Sequence, residues 1–292
     1  MTDSPDTVSL NFSVGTAEFP VVPSVDGAPS IDVSTLTKQT GYTALDQGFV
    51  NTASTSSGIT FINGDEGILR YRGYSIDDVA QNSTFLEVAW LLIYGELPST
   101  SELEEFDHRI RHHTLLHEDL KRLFDALPHN AHPMSVLSAA VSAMSTYYGD
   151  SLSVHDPEQI EMSTIRLLAK LPVIAAYAHK KSIGQAFLYP DNSRGFVENF
   201  LWLNFGLMAE PYVANPVLVK ALDRLLILHE DHEQNASTST VRMVGSTEAN
   251  LFASVELTRC QGYCTVARMR RCSPCSPKSE IPARVFSGLW SE

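Results

Sequence analysis

Basic residues are scarce in this chain. It carries 21 Lys and Arg against 34 Asp and Glu, a formal net charge of −13 over 292 residues. That argues against a general nucleic-acid or anionic-membrane surface, since both need a basic face. A local basic pocket for an anionic metabolite is still allowed. Long apolar runs are lacking as well; none approaches the ~20 residues that span a bilayer. Residues Met1 to Asn11 include acids but no basic n-region or apolar h-region, so a signal peptide is not expected and a cytoplasmic protein is. Cysteine is sparse and confined. All four, Cys260, Cys264, Cys272 and Cys275, fall in one C-terminal stretch. From Glu256 onward that stretch holds six Lys/Arg against three Asp/Glu, leaving −16 on the first 255 residues.

What is present is ordinary for a globular core: 43% hydrophobic and 19% charged residues. The length suits one large domain or two modest ones. Residues 9–62 are rich in Val, Thr, Ser, Phe and Ile without helical period, which predicts short strands and loops, best at Ser30–Thr35 and Ile59–Ile62. Asn63-Gly64-Asp65-Glu66-Gly67 predicts a tight turn, and Ile68–Tyr74 a second hairpin strand. From Ser75 the texture is helical. The spacing predicts helices over Asp77–Tyr94, from a Ser99 or Ser101 cap towards Leu116, over Pro133–Tyr148, over Pro157–Ile183 with a break at Pro172, over Gly195–Leu207 and over Pro216–His229. No internal repeat is present.

The densest chemistry lies at Leu228–Arg242. His229 and His232 stand one turn apart at the end of an apolar helix pattern, and Gln234-Asn235-Ala236-Ser237-Thr238-Ser239-Thr240 follows. A polar cluster at a buried helix end is costly unless it binds something, so a small oxygen-rich ligand is expected here. A zinc-protease helix needs histidines at i and i+4 with Glu directly after the first; here they are at i and i+3, and no metal ligand set is assigned. The plainer alternative is that both histidines satisfy a helix end near its negative pole.

Leu228–Arg242 resembles the signature of the citrate synthases, in particular the bacterial hexameric type. Phe61-Ile62-Asn63-Gly64-Asp65-Glu66-Gly67-Ile68-Leu69, Arg72-Gly73-Tyr74, Ser182-Ile183-Gly184-Gln185 and Glu210-Pro211-Tyr212 agree with it. The similarity runs from near the N-terminus through Val255. It implies a mainly α fold, with a β-rich N-terminal segment (1–74), an incomplete multi-helix large domain (75–255) and a separate tail (256–292). It also implies condensation of acetyl-CoA with oxaloacetate and water to give citrate and CoA. His232 matches a histidine that helps bind oxaloacetate, with His229 and Asn235 in the same region. No resident cofactor is implied, acetyl-CoA being a co-substrate. In the family an Asp and two His perform acid–base chemistry in a closed cleft, and arginines hold the dicarboxylate. A homo-oligomer, dimer or hexamer, is implied. NADH is implied as an allosteric effector, at positions matching His112, His113, Thr114, Tyr148, Arg166 and Lys170, although position 112 is His where regulated members have Arg. Alternatives are 2-methylcitrate chemistry and a non-catalytic fragment that co-assembles with a full-length citrate synthase.

The resemblance stops after Ala253-Ser254-Val255. The family's Gly-Pro-Leu-His-Gly-Gly-Ala-Asn loop is missing, as are the catalytic His, His and Asp and the substrate arginines, so no catalytic residue is assigned and an inactive chain is expected. Cys264–Met269 can be encoded TGC ACG GTG GCG CGA ATG; read from the last base of a Tyr263 codon ending in C, this gives Leu-His-Gly-Gly-Ala-Asn. The shifted position before that Leu cannot be Pro. A slipped frame near codon 255 is therefore expected, with residues 256–292 an out-of-frame, disordered tail. That origin, with Pro274, Pro277 and Pro282 nearby, disfavours a zinc site at Cys260-x3-Cys264 and Cys272-x2-Cys275. Helices deprived of later partners would expose apolar faces. A DNA read across codons 250–292 is expected to show the family loop in a neighbouring frame; an in-frame read without it rules the slip out.

Overall fold

The computed structural model describes residues 6–13, 15–24, 28–46 and 51–256. The tail from 257 on, with its four cysteines, lies outside them. Two small sheets precede a helical body. In the first, β1 (Thr7–Phe12) and β2 (Gly15–Val22) form an antiparallel hairpin, with Thr7 opposite Pro20, and β3 (Ser30–Ile31) pairs with β2. Ala17 and Phe19 are buried on alternate positions of β2, the period expected of a half-covered strand. This hairpin is longer than the strand expected at Ser30–Thr35, which yields only β3 before the short helix α1 (Leu36–Thr40).

The second sheet carries β4 (Thr60–Asn63), β5 (Ile68–Tyr71) and β6 (Tyr74–Ser75). Its expected turn is present: the Asn63 side-chain oxygen accepts from the backbone N–H of Asp65 and of Glu66, each at 3.2 Å, and Gly67 takes φ +68°. Between β5 and β6, Arg72 (φ 48°) and Gly73 (φ 90°) reverse the chain, and the Arg72 guanidinium donates to Leu92 O at 2.8 Å.

The helices are α2 (Ile76–Asn82), α3 (Phe85–Tyr94), α4 (Thr100–His112), α5 (Glu118–Ala126), α6 (Pro133–Met144), α7 (Pro157–Ser182), α8 (Phe196–Phe205), α9 (Pro216–Leu228) and α10 (Ala236–Gly245); residues 251–256 are helical too. The single helix expected over Asp77–Tyr94 is two. Thr84 starts α3 with a reciprocal capping box to Glu87. Ser99 does the same for α4 with Glu102, and that helix stops at His112 rather than nearing Leu116. Helix α5 was not expected. Its cap is a histidine, His117, whose Nδ1 accepts from Asp119 N at 3.1 Å, in place of the usual Ser, Thr, Asp or Asn. Pro172 does not break α7, because Ala169, Val173 and Ile174 around it are buried in the two clusters that join α7 to its neighbouring helices. Packing outweighs the one lost backbone bond.

Three apolar clusters hold the body. The largest joins α5, α6 and α7 around Phe124, which meets Tyr177 and Phe187 edge-on at 5.8 and 5.7 Å. A second links α3, α4 and α7 through Phe106, Ile110 and Ile165. A third, Tyr71, Val79, Val88, Leu91 and Ile227, ties β5 to α2, α3 and the end of α9. The outer face of α9 presents Val217, Leu218, Leu225 and Leu228 exposed, as expected of a helix with an apolar face uncovered.

Candidate functional site

Helix α9 delivers the histidine motif and ends inside it. His229 is its C-cap, and its Nδ1 lies 2.7 Å from Leu225 O. A carbonyl only accepts, so Nδ1 carries the proton and Nε2 is the lone-pair nitrogen of the neutral ring. His229 therefore does satisfy a helix end. Asn235 caps α10, its side-chain oxygen accepting from Thr238 N at 2.9 Å. The hydroxyl run is also engaged locally: Thr240 donates to Ala236 O at 2.6 Å and Ser239 to Gln234 O at 3.2 Å. His232 sits between these two helix ends, its ring centroid 6.2 Å from that of His229. His229, His232 and Asn235 are all exposed. The expectation of a buried polar helix end is thus corrected, because the helix ends at the surface and water or a ligand can reach both rings.

The buried group of the motif is one the sequence reading passed over. Glu230 Oε2 is buried with no hydrogen-bond partner among the described residues. Burial, then the negative charges of Asp223 and Asp231, pushes its carboxyl up to about 9. Asp223, half-enclosed, is raised as well by burial, while its Oδ1 accepts from Phe85 N at 3.2 Å.

Tyr71 and Glu233 complete the frame. Tyr71 is fully buried; its hydroxyl lies 3.1 Å from both Ile227 O and Asp231 O and accepts from Asp231 N at 3.3 Å. Burial raises its phenol above the ordinary tyrosine range. Glu233, at φ 55°, accepts the Ile62 amide at 2.8 Å. No local motif could have exposed these partners, which are separated by 156 to 171 residues.

The second predicted group also converges. Lys170, only 3% exposed, donates to His113 O at 2.5 Å and to Leu115 O. Arg166 forks onto Asp150 at 2.7 and 2.9 Å, and both cations face the Tyr148 ring, at 4.6 Å for Arg166 and 5.1 Å for Lys170. Burial, then the Arg166 charge, brings Lys170 down to about 8. The Arg166 hydrogen bond holds Asp150 below its usual range, and burial raises Tyr148. Thr114 is buried nearby and donates to Arg111 O at 2.9 Å. His112 stands apart, bonded to His108 O at 2.8 Å and stacked on the His108 ring. Among the described residues no His, Cys, Asp or Glu group could hold a metal ion, and no helix is long and apolar enough to cross a membrane.

Residues 48–256 match the family model described as citrate synthase, C-terminal domain, and the chain belongs to the citrate synthase family. It is 60% identical over 255 residues to citrate synthase 1 of Mycobacterium tuberculosis, a match covering 87% of this chain and 59% of that protein. It is 51% identical over 246 residues to the citrate synthase of Corynebacterium glutamicum, covering 84% and 56%. The chain therefore spans somewhat over half the length of these relatives. Among solved structures, the citrate synthase of Pyrobaculum aerophilum superposes with TM-score 0.68 at 32% identity, over 83% of this chain and 57% of that one. The Thermoplasma acidophilum citrate synthase, in ternary complex with carboxymethyl coenzyme A and oxaloacetate, shares the fold with TM-score 0.69 at 23% identity, over 74% and 55%.

A neutral buried carboxyl has a pH signature. The folded chain holds the Glu230 proton from the ordinary glutamate range up to about 9, while the unfolded chain releases it near 4.5. Over that window the folded state binds more protons, so stability falls as pH rises. Glu230→Gln removes this loss: the urea midpoint gain of the variant over the parent grows from pH 5 to pH 9. A gain constant with pH contradicts a buried neutral Glu230.

Proposed function

We propose that residues 228–242 form the oxaloacetate-binding part of a citrate synthase site, with His232 as the contact to the dicarboxylate. The observation that carries this is the position of His232: exposed, flanked by tethered neighbours, and three residues before the capped start of α10. A helix N-terminus offers free N–H groups and a positive pole to a carboxylate. The Thermoplasma relative's complex contains oxaloacetate. The reaction assigned is the family's, acetyl-CoA and oxaloacetate with water to citrate and CoA, with no resident cofactor. Residues 256–292 contain no His and no Asp, so we propose that these 292 residues bind the keto acid without turning it over. The uncovered apolar face of α9 supports the second reading, a subunit fragment that docks on a full-length citrate synthase.

The test is calorimetric. Oxaloacetate binds the chain, His232→Ala weakens binding about tenfold or more, as expected for loss of a charge-assisted hydrogen bond, and no CoA is released when acetyl-CoA is added. A CoA-release rate like that of ordinary enzymes contradicts the inactive reading, and undetectable oxaloacetate binding contradicts the site.

The Tyr148, Arg166, Lys170, His113 and Thr114 cluster is the part of the proposed NADH site that two cations against one aromatic face support; His112 stands apart from it. A dinucleotide phosphate would have to draw Arg166 from Asp150. Lys170 loses its charge as pH rises through about 8, so NADH affinity, read by fluorescence titration, falls between pH 7 and pH 9 and falls further with Arg166→Ala. Equal affinity at both pH values removes Lys170 from the site.

A further inference from the structure

We infer that the β4–β5 hairpin is a clamp that positions His232, with Tyr71 and Glu233 as its two positioning residues; this rests on His232 being the ligand contact proposed above. The two residues on either side of His232 are each tied to the hairpin. On one side the buried Tyr71 hydroxyl takes the Asp231 amide proton and lies 3.1 Å from the Asp231 and Ile227 carbonyls. On the other, the Glu233 carboxylate accepts the Ile62 N–H at 2.8 Å. Ile62 lies on β4, an edge strand whose partner is β5, and β5 ends in Tyr71. An edge amide needs an acceptor, and Glu233 supplies it. A third tie closes the loop on itself, from Glu233 N to Asp231 Oδ2 at 3.2 Å.

The backbone shows that these ties act. Glu233 holds φ 55°, a left-handed conformation costly for a residue other than glycine. Such a conformation persists where the surroundings over-determine it, and functional loops are where it collects. Position 232 is therefore fixed fore and aft while its own ring stays exposed. A ring held in place before the ligand arrives loses less freedom on binding, and the affinity gains accordingly. Neither Tyr71 nor Glu233 has to touch the ligand for this.

Three variants of the full chain separate the clamp from simple support of the fold. Tyr71→Phe keeps the buried ring and deletes only the hydroxyl. Glu233→Asn tolerates the left-handed backbone and is one methylene too short for Ile62. Glu233→Gln keeps an acceptor at full reach. By NMR, Tyr71→Phe speeds hydrogen exchange at the Asp231 amide and Glu233→Asn at the Ile62 amide. Both shift and broaden the His232 ring signals, and both weaken oxaloacetate binding about tenfold, the scale of one lost hydrogen bond. Glu233→Gln restores ring signals and affinity. Unchanged His232 signals in both Tyr71→Phe and Glu233→Asn overturn the clamp, whether or not ligand binds. If the parent chain shows no oxaloacetate binding, the functional reading fails, and the clamp is decided by exchange and ring signals alone.

Discussion

The hydroxyl of Tyr71 is the contact on which the site depends. A buried phenol must find partners or cost the full desolvation of its oxygen, and this one finds them on the last turn of α9 and in the loop that follows. Its ring meanwhile lies in the apolar cluster with Val79, Val88, Leu91 and Ile227. One side chain thus joins the second sheet, helices α2, α3 and α9, and the histidine loop. Removing it would loosen the packing and free the loop together, so the fold and the site share one support. The Arg72 guanidinium reinforces this from the next residue by satisfying the end of α3 at Leu92 O.

How much of this was legible follows from the range of each interaction. The helices declared themselves wherever apolar period and cap agreed, as at Ser99 with Glu102 and at Pro216 after Asn215. They were misread where a local signal was outweighed. Thr84 splits one expected helix because its capping box with Glu87 starts a new helix within a continuous apolar pattern. Pro172 does not end α7, since the burial of its neighbours outweighs the one lost backbone bond. The β1–β2 hairpin was legible only as strand-like composition, its register being set by pairing across the turn.

The site divides in the same way. The motif drew the eye to one segment, but its residue types did not reveal their local duties. His229 and Asn235 turned out to be tied to helix ends by bonds three and four residues long, a local role that an i−4 carbonyl and an N-cap position could have suggested. Tyr71, Ile62 and Glu233 could not have been grouped from spacing, because only the folded chain brings the hairpin against the loop. The Lys170 cluster was found by resemblance alone. Its chemistry, a lysine whose ammonium is spent on the carbonyls that follow α4, needed the coordinates.

The charges around His232 bear on whether an acidic motif in an acidic chain is compatible with the proposed dicarboxylate ligand. His229-Glu230-Asp231-His232-Glu233 reads as three carboxylates flanking two imidazoles, which would repel an anion at close range. The fold removes much of that repulsion. Burial keeps Glu230 protonated through neutral pH, the Ile62 N–H draws the Glu233 carboxylate to the hairpin, and Asp231 turns back to accept from Glu233 N. What faces solvent between the ends of α9 and α10 is then an imidazole pair beside the N–H groups of a capped helix start. The same acids that make the motif look unsuited to an anion are engaged internally, and two of them, Asp231 and Glu233, are tied on either side of the exposed His232 ring.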